Sequence, residues 1–513
     1  MGMDGAEQRL KLSCLQSTDR QGAEEVRRTP VTILQIGEGN FLRGFFDWMI
    51  NECRKQGNFE GSVAISQPRS SGSSKLKTLK TQDGLYTLII RGLEQGKPVE
   101  KSEIIPVVSR VIDPYQDWVD FLSIGQSPEL EIIVSNTTEA GLIYRPEALV
   151  EGTAIESYPG KLAYLLHKRF TAFAGDPAKG LLILPLELLE RGGDELKRCV
   201  LQYSQDWGFS TAFMDWVGRD NRFLNSLVDR IVTGYPESEA ESWFAKLGYR
   251  DKLLNVAEPY HFWAIEGEVE LEQQLPLQKS GLNVHWVQDL RPYQQRKVRI
   301  LNGAHTLMTP LALLYGLGHV REVMEHAEFG AYVVAAVEQE IIPSMSRTTS
   351  MEPSELLLYA ESVYERFSNP FIQHNLADIA LNSLAKFKVR LLPSIEAYVE
   401  LGCGLSERLI QGFAGLLRYY KVQKTALGFQ GTTLLGEQYP LRDDPALLTI
   451  LAETWYGAEG RALVDTVARL LNNEELWGCS LGRIEGLLEA ITFYLEELEG
   501  SSSEAVDFLA RKR

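Results

Sequence analysis

The segment VTILQIGEGNFLRGFFDWMINECRKQG, residues 31–57, contains an apolar run, two closely spaced glycines and a periodic apolar pattern. Residues 31–36 are apolar enough for a strand that is buried on both faces, as in parallel sheets. Gly37 and Gly39 permit backbone conformations that other residues resist, and Asn40 is a candidate N-cap. The apolar residues that follow recur at helical spacing: Leu42, Phe45, Phe46, Met49, Ile50 and Cys53.

This strand, turn and helix direct backbone N–H groups towards one point, which suits the pyrophosphate of a dinucleotide. The usual fingerprint, G-x-G-x-x-G, needs a third glycine at a position that Leu42 occupies here, and the next glycine is Gly44. The segment alone therefore fits either a nucleotide-binding loop or an ordinary strand-to-helix turn.

Composition restricts the class of protein. The chain has 513 residues, enough for two or more domains, and a formal net charge of −17, which argues against nucleic-acid or anionic-membrane partners. No apolar run is long enough to span a bilayer, and the N-terminus does not resemble a signal peptide. The five cysteines form no C-x-x-C pair. We therefore expect a cytoplasmic protein with reduced thiols and no zinc site.

Short apolar runs alternate with helical patterns over the N-terminal part of the chain, which is typical of parallel βαβ units. These runs are residues 31–36, 61–66, 131–135 and 180–185. Residues 196–250 have a helical pattern, and further strands are predicted near 263–270 and 283–287.

Amphipathic helical patterns dominate from residue 292 onward. They cover residues 292–316, 320–342, 353–367, 371–386, 405–420, 444–455, 459–472 and 482–498. The sequence thus predicts an α/β protein with three parts: a flexible extension over 1–28, a Rossmann-like dinucleotide-binding domain over 29–290, and a mainly α-helical substrate-binding and catalytic domain over 291–513. Ligands are expected at the carboxyl ends of the strands, in the cleft between the domains.

A second motif, RKVRILNGAHTLMTP, covers residues 296–310. On an α-helix, Lys297, Asn302 and His305 would fall at about 0°, 140° and 80°, within one half of the helix surface. A desolvated lysine beside an amide and an imidazole can exchange protons near neutral pH. The same spacing also fits a solvated lysine, a capping asparagine and a packed histidine.

Four segments together resemble the mannitol dehydrogenase family, the polyol-specific long-chain dehydrogenases. IGEGNFLRGF matches that family's modified motif, G-x-G-x-F-x-R, through Gly37, Gly39, Phe41 and Arg43. The other three segments are FLNSLVDRI at 223–231, EPYHFWAIE at 258–266 and KVRILNGAH at 297–305.

The resemblance implies an NAD-dependent oxidoreductase that acts on a small-molecule substrate without a metal. It implies a catalytic role for Lys297 as general acid/base, with Asn302 and His305 polarising and orienting the reacting oxygen. It implies substrate binding by Lys386, and we add Arg299 and Glu187 as candidates. Arg390 and Lys388 are further cations near Lys386 in the sequence. The expected cofactor-binding residues are Ile36, Gly37, Gly39, Asn40, Phe41, Arg43, Ser135, Asn136 and Thr137.

Within that family, VSNTTEAGL at 134–142 replaces the V-T-E-K-G-Y segment of the mannitol and mannonate enzymes. The replacement implies the branch that reversibly reduces D-tagaturonate to D-altronate with NADH, a step of galacturonate catabolism. Two positions depart from the family. Asp378 stands where an arginine is expected, and Leu188 stands where a second asparagine is expected.

Alternatives remain for the substrate, the cofactor and the class of protein. The enzyme could act on mannonate and fructuronate or on a neutral polyol, and a non-catalytic sugar or nucleotide sensor could keep the same fold. The segment after the second strand, Ser66-Gln67-Pro68-Arg69, lacks the acid typical of NAD enzymes, so Arg69 would permit a 2′-phosphate. The resemblance favours NAD. We expect a monomer or a small homo-oligomer.

Overall fold

The computed structural model of the chain describes residues 8–346, 348–456 and 462–500. The chain divides into two units, residues 1–91 with 98–290 and residues 92–97 with 291–513. In the described residues, no helix is both long and apolar enough to cross a membrane.

A six-stranded parallel sheet organises the first unit, in the order β5-β2-β1-β6-β7-β8. The order reverses between β1 and β6, the place where ligands bind in doubly wound sheets. Two smaller sheets have the orders β10-β11-β3-β4 and β13-β12-β9. The strands are β1 (Val31–Ile36), β2 (Ser62–Ser66), β3 (Tyr86–Glu94), β4 (Lys97–Ile105), β5 (Val108–Ile112), β6 (Ile132–Ser135), β7 (Leu182–Pro185), β8 (Arg222–Phe223), β9 (Ser226–Asp229), β10 (Val232–Gly234), β11 (Asn255–Ala257), β12 (Phe262–Glu266) and β13 (Val284–Val287).

Helices cover both faces of this sheet. Ile33 of β1 packs in one core with residues of α3, whereas Leu34 and Ile36 pack in another core with residues of α5, α6 and α7. Burial on both faces explains why β1 is an uninterrupted run of mostly apolar residues. The helices are α1 (Ser17–Arg28), α2 (Asn40–Gly44), α3 (Phe46–Lys55), α4 (Ser73–Thr81), α5 (Trp118–Gly125), α6 (Tyr158–Ala172), α7 (Gly192–Asp206), α8 (Thr211–Asp220) and α9 (Ala240–Leu247).

The N-terminal segment differs from the loose extension that the sequence predicts. Residues 17–28 form helix α1, which buries Ala23 and Val26. The guanidinium of Arg20 donates hydrogen bonds to the backbone oxygens of Leu12 and Ser13, which hold the preceding segment against the helix. Residues 1–7 of the predicted extension lie outside the described residues.

In the part that the structure describes, the second unit is mainly helical and has a small antiparallel sheet. Two π-helical segments, Lys297–Asn302 and Val337–Ile341, interrupt its α-helices. The elements are α10 (Arg291–Arg296), α11 (Gly303–Leu314), α12 (Val320–Glu325), α13 (Ala327–Ala336), α14 (Ile342–Met345), α15 (Pro353–Phe367), α16 (Leu376–Ile379), α17 (Ser383–Arg390), α18 (Leu392–Glu400), α19 (Glu407–Tyr419), β14 (Val422–Thr425), β15 (Gly428–Thr432), β16 (Gln438–Pro440), α20 (Pro445–Tyr456), α21 (Leu463–Leu471), α22 (Glu474–Trp477) and α23 (Leu487–Gly500).

The predicted fold class is confirmed, with a Rossmann-like parallel sheet followed by a helical region. The helical prediction for residues 196–250 is wrong between α8 and α9, where β8, β9 and β10 lie. These strands have two to four residues each, too few to show a period in the sequence. The long hairpin β3–β4 and the sheet β14–β16 were not predicted.

Candidate active site

The strand register brings three loops of the first unit to one edge of the sheet. Ile36, the last residue of β1, pairs with Ser66 of β2 and with Ser135 of β6. The amide of Gly37 donates to the backbone oxygen of Ser66 at 2.8 Å, and the amide of Asn136 donates to that of Ile36 at 3.2 Å. The loops after β1, β2 and β6 therefore begin side by side.

The two glycines of the turn after β1 suit their positions for different structural reasons. Gly37 has a φ of 129°, and a Cβ there would lie 2.8 Å from the backbone oxygen of Asn136. No other residue fits at Gly37 without strain. A Cβ on Gly39 would meet no atom within 4 Å. This open space would let a phosphate approach the backbone at Gly39, as expected of a nucleotide-binding loop.

The helix after this turn is broken. Helix α2 ends at Gly44 and α3 begins at Phe46, and the intervening Phe45 has a φ of −127° and a ψ of −74°. Gly39, not the predicted Asn40, is the N-cap residue. The side-chain oxygen of Asn40 accepts a hydrogen bond from Arg43 at 2.8 Å, and its backbone oxygen accepts one from Asn255. The prediction of Asn40 as a capping residue is therefore wrong.

Arg43 is a buried side chain that bonds to backbone oxygens of the protein, and its predicted contact with the cofactor phosphate stays a prediction. Its side chain is 2% exposed. It donates hydrogen bonds to the backbone oxygen of Leu253 at 2.5 Å and to that of Glu38 at 3.3 Å, and it lies 5.0 Å over the ring of Tyr86. Burial lowers the pKa of Arg43, and the charge of nearby Asp47 opposes that change. Arg43 thus fixes the glycine turn from the protein interior.

Two further predicted cofactor residues are also packing residues. Ile36 is 2% exposed and belongs to the core that includes α5 and α6. Phe41 is partly buried, and its ring stacks on that of Phe45 with centroids 4.9 Å apart. Both shape the turn, and neither supplies a polar group from its side chain.

Glu187 links the ends of β6 and β7 through hydrogen bonds. Its carboxylate accepts hydrogen bonds from the Ser135 hydroxyl at 3.2 Å, the Thr137 amide at 2.9 Å and the Thr137 hydroxyl at 3.1 Å. Asn136 donates from its side chain to the backbone oxygen of Leu186 at 2.6 Å. Glu187 is buried, and desolvation raises its pKa. Leu188, at the position of the family's second asparagine, is 75% exposed.

The motif of the second unit lies on a π-helical segment. Lys297 and Asn302 are the first and last residues of that segment, and α11 follows it. A π-helix bonds residue i to residue i+5, so residues five apart become neighbours one turn apart. The α-helical geometry predicted from the sequence would separate these two residues by about 140°. The π segment therefore brings the lysine and the asparagine onto one face.

His305, one turn further along α11, lies among aromatic and cationic side chains. Its ring contacts Phe367, with centroids 4.2 Å apart, and His374, with centroids 5.9 Å apart. Its Nε2 atom is buried and has no hydrogen-bond partner in the described chain. Burial lowers the pKa of His305 to about 3, and the charges of four neighbouring residues add to this shift: His374, Arg366, Arg390 and Lys386. The imidazole is therefore neutral at neutral pH.

Two of these cations share one face of α17, because Lys386 and Arg390 are four residues apart. Lys386 Nζ donates to the backbone oxygen of Ile379 at 2.8 Å, and Arg390 Nη1 donates to the hydroxyl of Thr306 at 3.1 Å. The remaining N–H groups of Arg390 make no hydrogen bond within the described residues. The positive charges near His305 suit an anionic ligand.

Arg299 is not among the cations that lower the pKa of His305, and its predicted role in substrate binding stays a prediction. It is 7% exposed and donates from Nε to the hydroxyl of Ser394 at 2.7 Å. Its Nη2 lies 3.5 Å from the hydroxyl of Ser344. Burial lowers the pKa of Arg299 to about 10. Arg299 connects the π segment to its neighbouring helices.

The chain matches the mannitol dehydrogenase Rossmann domain over residues 31–279 and the mannitol dehydrogenase C-terminal domain over residues 289–499. The chain belongs to the mannitol dehydrogenase family. It is therefore an oxidoreductase that acts on CH–OH groups, and the resemblance carried by the four sequence segments is confirmed.

In the described residues, no group of three or more histidine, cysteine, aspartate or glutamate side chains is arranged to hold a metal ion.

Relatives that share most of their length with this chain are called altronate oxidoreductase. The protein from Bacillus subtilis is 41% identical, over 94% of this chain and 96% of its own. The protein from Escherichia coli O7:K1 is 39% identical, over 93% of this chain and 96% of its own.

Two solved structures share the fold. D-Sorbitol dehydrogenase has a TM-score of 0.76 at 19% identity, over 93% of this chain and 95% of its own. Pseudomonas fluorescens mannitol 2-dehydrogenase, in a ternary complex with NAD and D-mannitol, has a TM-score of 0.62 at 21% identity, over 94% of both chains.

The position of Arg43 yields a test that separates a structural role from phosphate binding. Arg43→Met should lower the free energy of unfolding by roughly 3 kcal/mol or more, because it leaves buried oxygens unpaired. Urea unfolding measures this loss, and Arg28→Met, at an arginine that is 80% exposed, is the control. A normal unfolding midpoint combined with a weakened affinity for NADH would instead show that Arg43 contacts the cofactor.

Proposed function

We propose that this protein is an NAD-dependent oxidoreductase that interconverts D-tagaturonate and D-altronate. The observation that carries the proposal is the near full-length similarity, 41% identity over 94% of this chain, to a protein called altronate oxidoreductase. The cationic surroundings of His305 support an acidic sugar, because a buried carboxylate needs charged or multiple donors.

The first unit supplies the groups that would hold a nicotinamide dinucleotide. Gly39 leaves its backbone open on one side, as a pyrophosphate requires. Because α2 has only five residues, the loop amides contribute more to this site than a long helix dipole does. Ser135, Asn136 and Thr137, which Glu187 and Leu186 fix in place, form the opposite wall across the switch point. NADH supplies the hydride when it is bound.

The second unit supplies the groups for proton transfer. Lys297 Nζ donates a proton to the ketone oxygen during reduction and accepts it during oxidation. Asn302, on the same face of the π segment, donates a hydrogen bond to that oxygen. Neutral His305 offers its unpaired Nε2 to a neighbouring hydroxyl of the sugar and fixes its orientation. This assignment uses one charged group to move the proton and two neutral groups to position the substrate.

We assign the binding of the substrate carboxylate to Arg390 and Lys386. The planar guanidinium of Arg390 can bind a carboxylate through two parallel hydrogen bonds. Arg390 thereby replaces the arginine that the family has at the position of Asp378, which is exposed on α16. A neutral polyol would leave both cations without an anionic partner, and the proposal therefore favours the uronate.

The decisive assay follows NADH oxidation with D-tagaturonate, D-fructuronate and D-fructose side by side. D-Tagaturonate should give the highest kcat/KM. Lys297→Ala should lower kcat by about 10²–10⁴, the usual loss when a positioned acid/base is removed, while its affinity for NADH stays close to that of the wild type. A higher kcat/KM for D-fructuronate would mean that the enzyme interconverts fructuronate and mannonate instead. A Lys297→Ala variant that keeps more than about a tenth of the wild-type kcat would exclude Lys297 as the proton donor.

Gly39→Val tests the cofactor loop. The added side chain should fold without a clash, because the space beside Gly39 is empty, but it should obstruct the pyrophosphate. We expect the NADH dissociation constant to rise at least about tenfold, equivalent to roughly 1.4 kcal/mol, with a normal melting temperature. Gly37→Val is the contrasting variant and should destabilise the fold itself. Unchanged NADH binding by folded Gly39→Val would place the pyrophosphate elsewhere.

Lys386→Met and Arg390→Met test how the carboxylate is recognised. Each should lower kcat/KM for D-tagaturonate by at least about tenfold, since a charge-assisted hydrogen bond contributes roughly 1.5–3 kcal/mol. Activity on D-fructose, which has no carboxylate, should fall much less. Lys388→Met removes a charge from another face of α17 and serves as the matched control. Equal losses on both substrates would mean that these cations do not contact the carboxylate.

A further inference from the structure

The loop after β2 lacks the acidic residue that usually selects NAD. In many NAD-binding Rossmann folds, an acid at this point holds the adenosine ribose hydroxyls. Here the residue after Ser66 is Gln67, which is 1% exposed and donates from Nε2 to Asp113 Oδ1 at 2.8 Å. Gln67 therefore faces inward and cannot serve as a ribose ligand. Arg69, two residues later, is exposed, and a cation there favours a 2′-phosphate.

A carboxylate from a distant segment occupies this place instead. Glu156 Oε1 accepts hydrogen bonds from the amide of Ser70 at 3.3 Å and from its hydroxyl at 3.0 Å. The phenol of Tyr115 lies beside the same carboxylate, because burial and then the charge of Glu156 raise the pKa of Tyr115. Glu156 lines a cavity of about 320 Å³ at the carboxyl ends of β2 and β6. Other residues around that cavity include Pro68, Arg69, Thr137, Thr138 and Tyr158.

The backbone of Glu156 is held from both sides. Lys161, which is 1% exposed, donates from Nζ to the backbone oxygens of Glu156 at 2.8 Å and Ile155 at 2.9 Å. The carboxylate of Glu147 accepts from the amides of Glu156 at 2.7 Å and Ser157 at 3.1 Å. A buried ammonium ion that binds two loop carbonyls is an unusual use of lysine, because burial of its charge is costly. The segment that carries Glu156 is thus fixed before any ligand binds.

Residues that follow β2 and β6, the two neighbours of β1, line the cavity, and in this fold the adenosine half of a dinucleotide binds beside the loop after β2. We propose that Glu156 replaces the missing acid of β2, binds the ribose 2′-hydroxyl of NAD and repels the 2′-phosphate of NADP, which presupposes the NAD-binding role proposed above. Glu156 and Arg69 then oppose each other. The carboxylate excludes the phosphate that the arginine alone would attract.

The test is equilibrium binding of NADH and NADPH, followed by nicotinamide fluorescence in the absence of substrate. The wild type should bind NADH more tightly. Glu156→Gln keeps the shape of the side chain and an oxygen for Ser70 but removes the charge. It should lower the ratio of the dissociation constants, NADPH over NADH, by at least about tenfold. Adding Arg69→Ala to Glu156→Gln should reverse most of that change.

Glu151→Gln removes an equally charged, exposed residue of the same segment and should leave the ratio unchanged. The melting temperature of each variant shows whether it folds, and Glu156→Ser is a second charge-free variant if Glu156→Gln does not. A wild type that binds NADPH as tightly as NADH, or a folded charge-free variant with an unchanged ratio, would overturn the role of Glu156. Failure of the wild type to bind either nucleotide would instead overturn the proposed function.

Discussion

The parallel register of β1 with β2 and β6 is the constraint on which the first unit depends. Because Ile36 pairs with both Ser66 and Ser135, three loops start at one edge of the sheet. A shift of one residue would exchange the faces of every side chain in β1. It would also remove Gly37 from its close approach to the backbone oxygen of Asn136. The register therefore determines the shape of the loops as well as the packing of the core.

Buried charged side chains then hold these loops in place. Arg43, Glu187 and Lys161 are 2%, 6% and 1% exposed. Arg43 and Lys161 donate mainly to backbone oxygens of loops, and Glu187 accepts from the amide of Thr137 as well as from two hydroxyls. Loops cannot satisfy their own polar groups as a strand ladder does, so buried side chains provide the missing partners. The same burial makes each of these residues costly to replace.

The sequence was informative where a pattern is local. Strand β1 has the predicted bounds, 31–36, because a strand that is buried on both faces is a continuous apolar run. The inward direction of Arg43 was not predicted, because it bonds to the backbone oxygen of Leu253, which is 210 positions away in the sequence. The contact between Glu156 and Ser70 joins residues 86 positions apart, and the alignment of Lys297 with Asn302 requires a π-helix that composition does not indicate.

The π segment Lys297–Asn302 also affects how relatives of this chain should be aligned. A π turn accommodates one residue more than the corresponding α turn. Loss of a single residue between Lys297 and Asn302 would return the segment to an α-helix and leave its flanking turns in nearly the same orientation. Lys297 and Asn302 would then be four residues apart, a spacing that also places two side chains on one face of an α-helix. A relative with a one-residue gap in this segment therefore keeps the lysine beside the asparagine, whereas an alignment without the gap would place one of the two out of register.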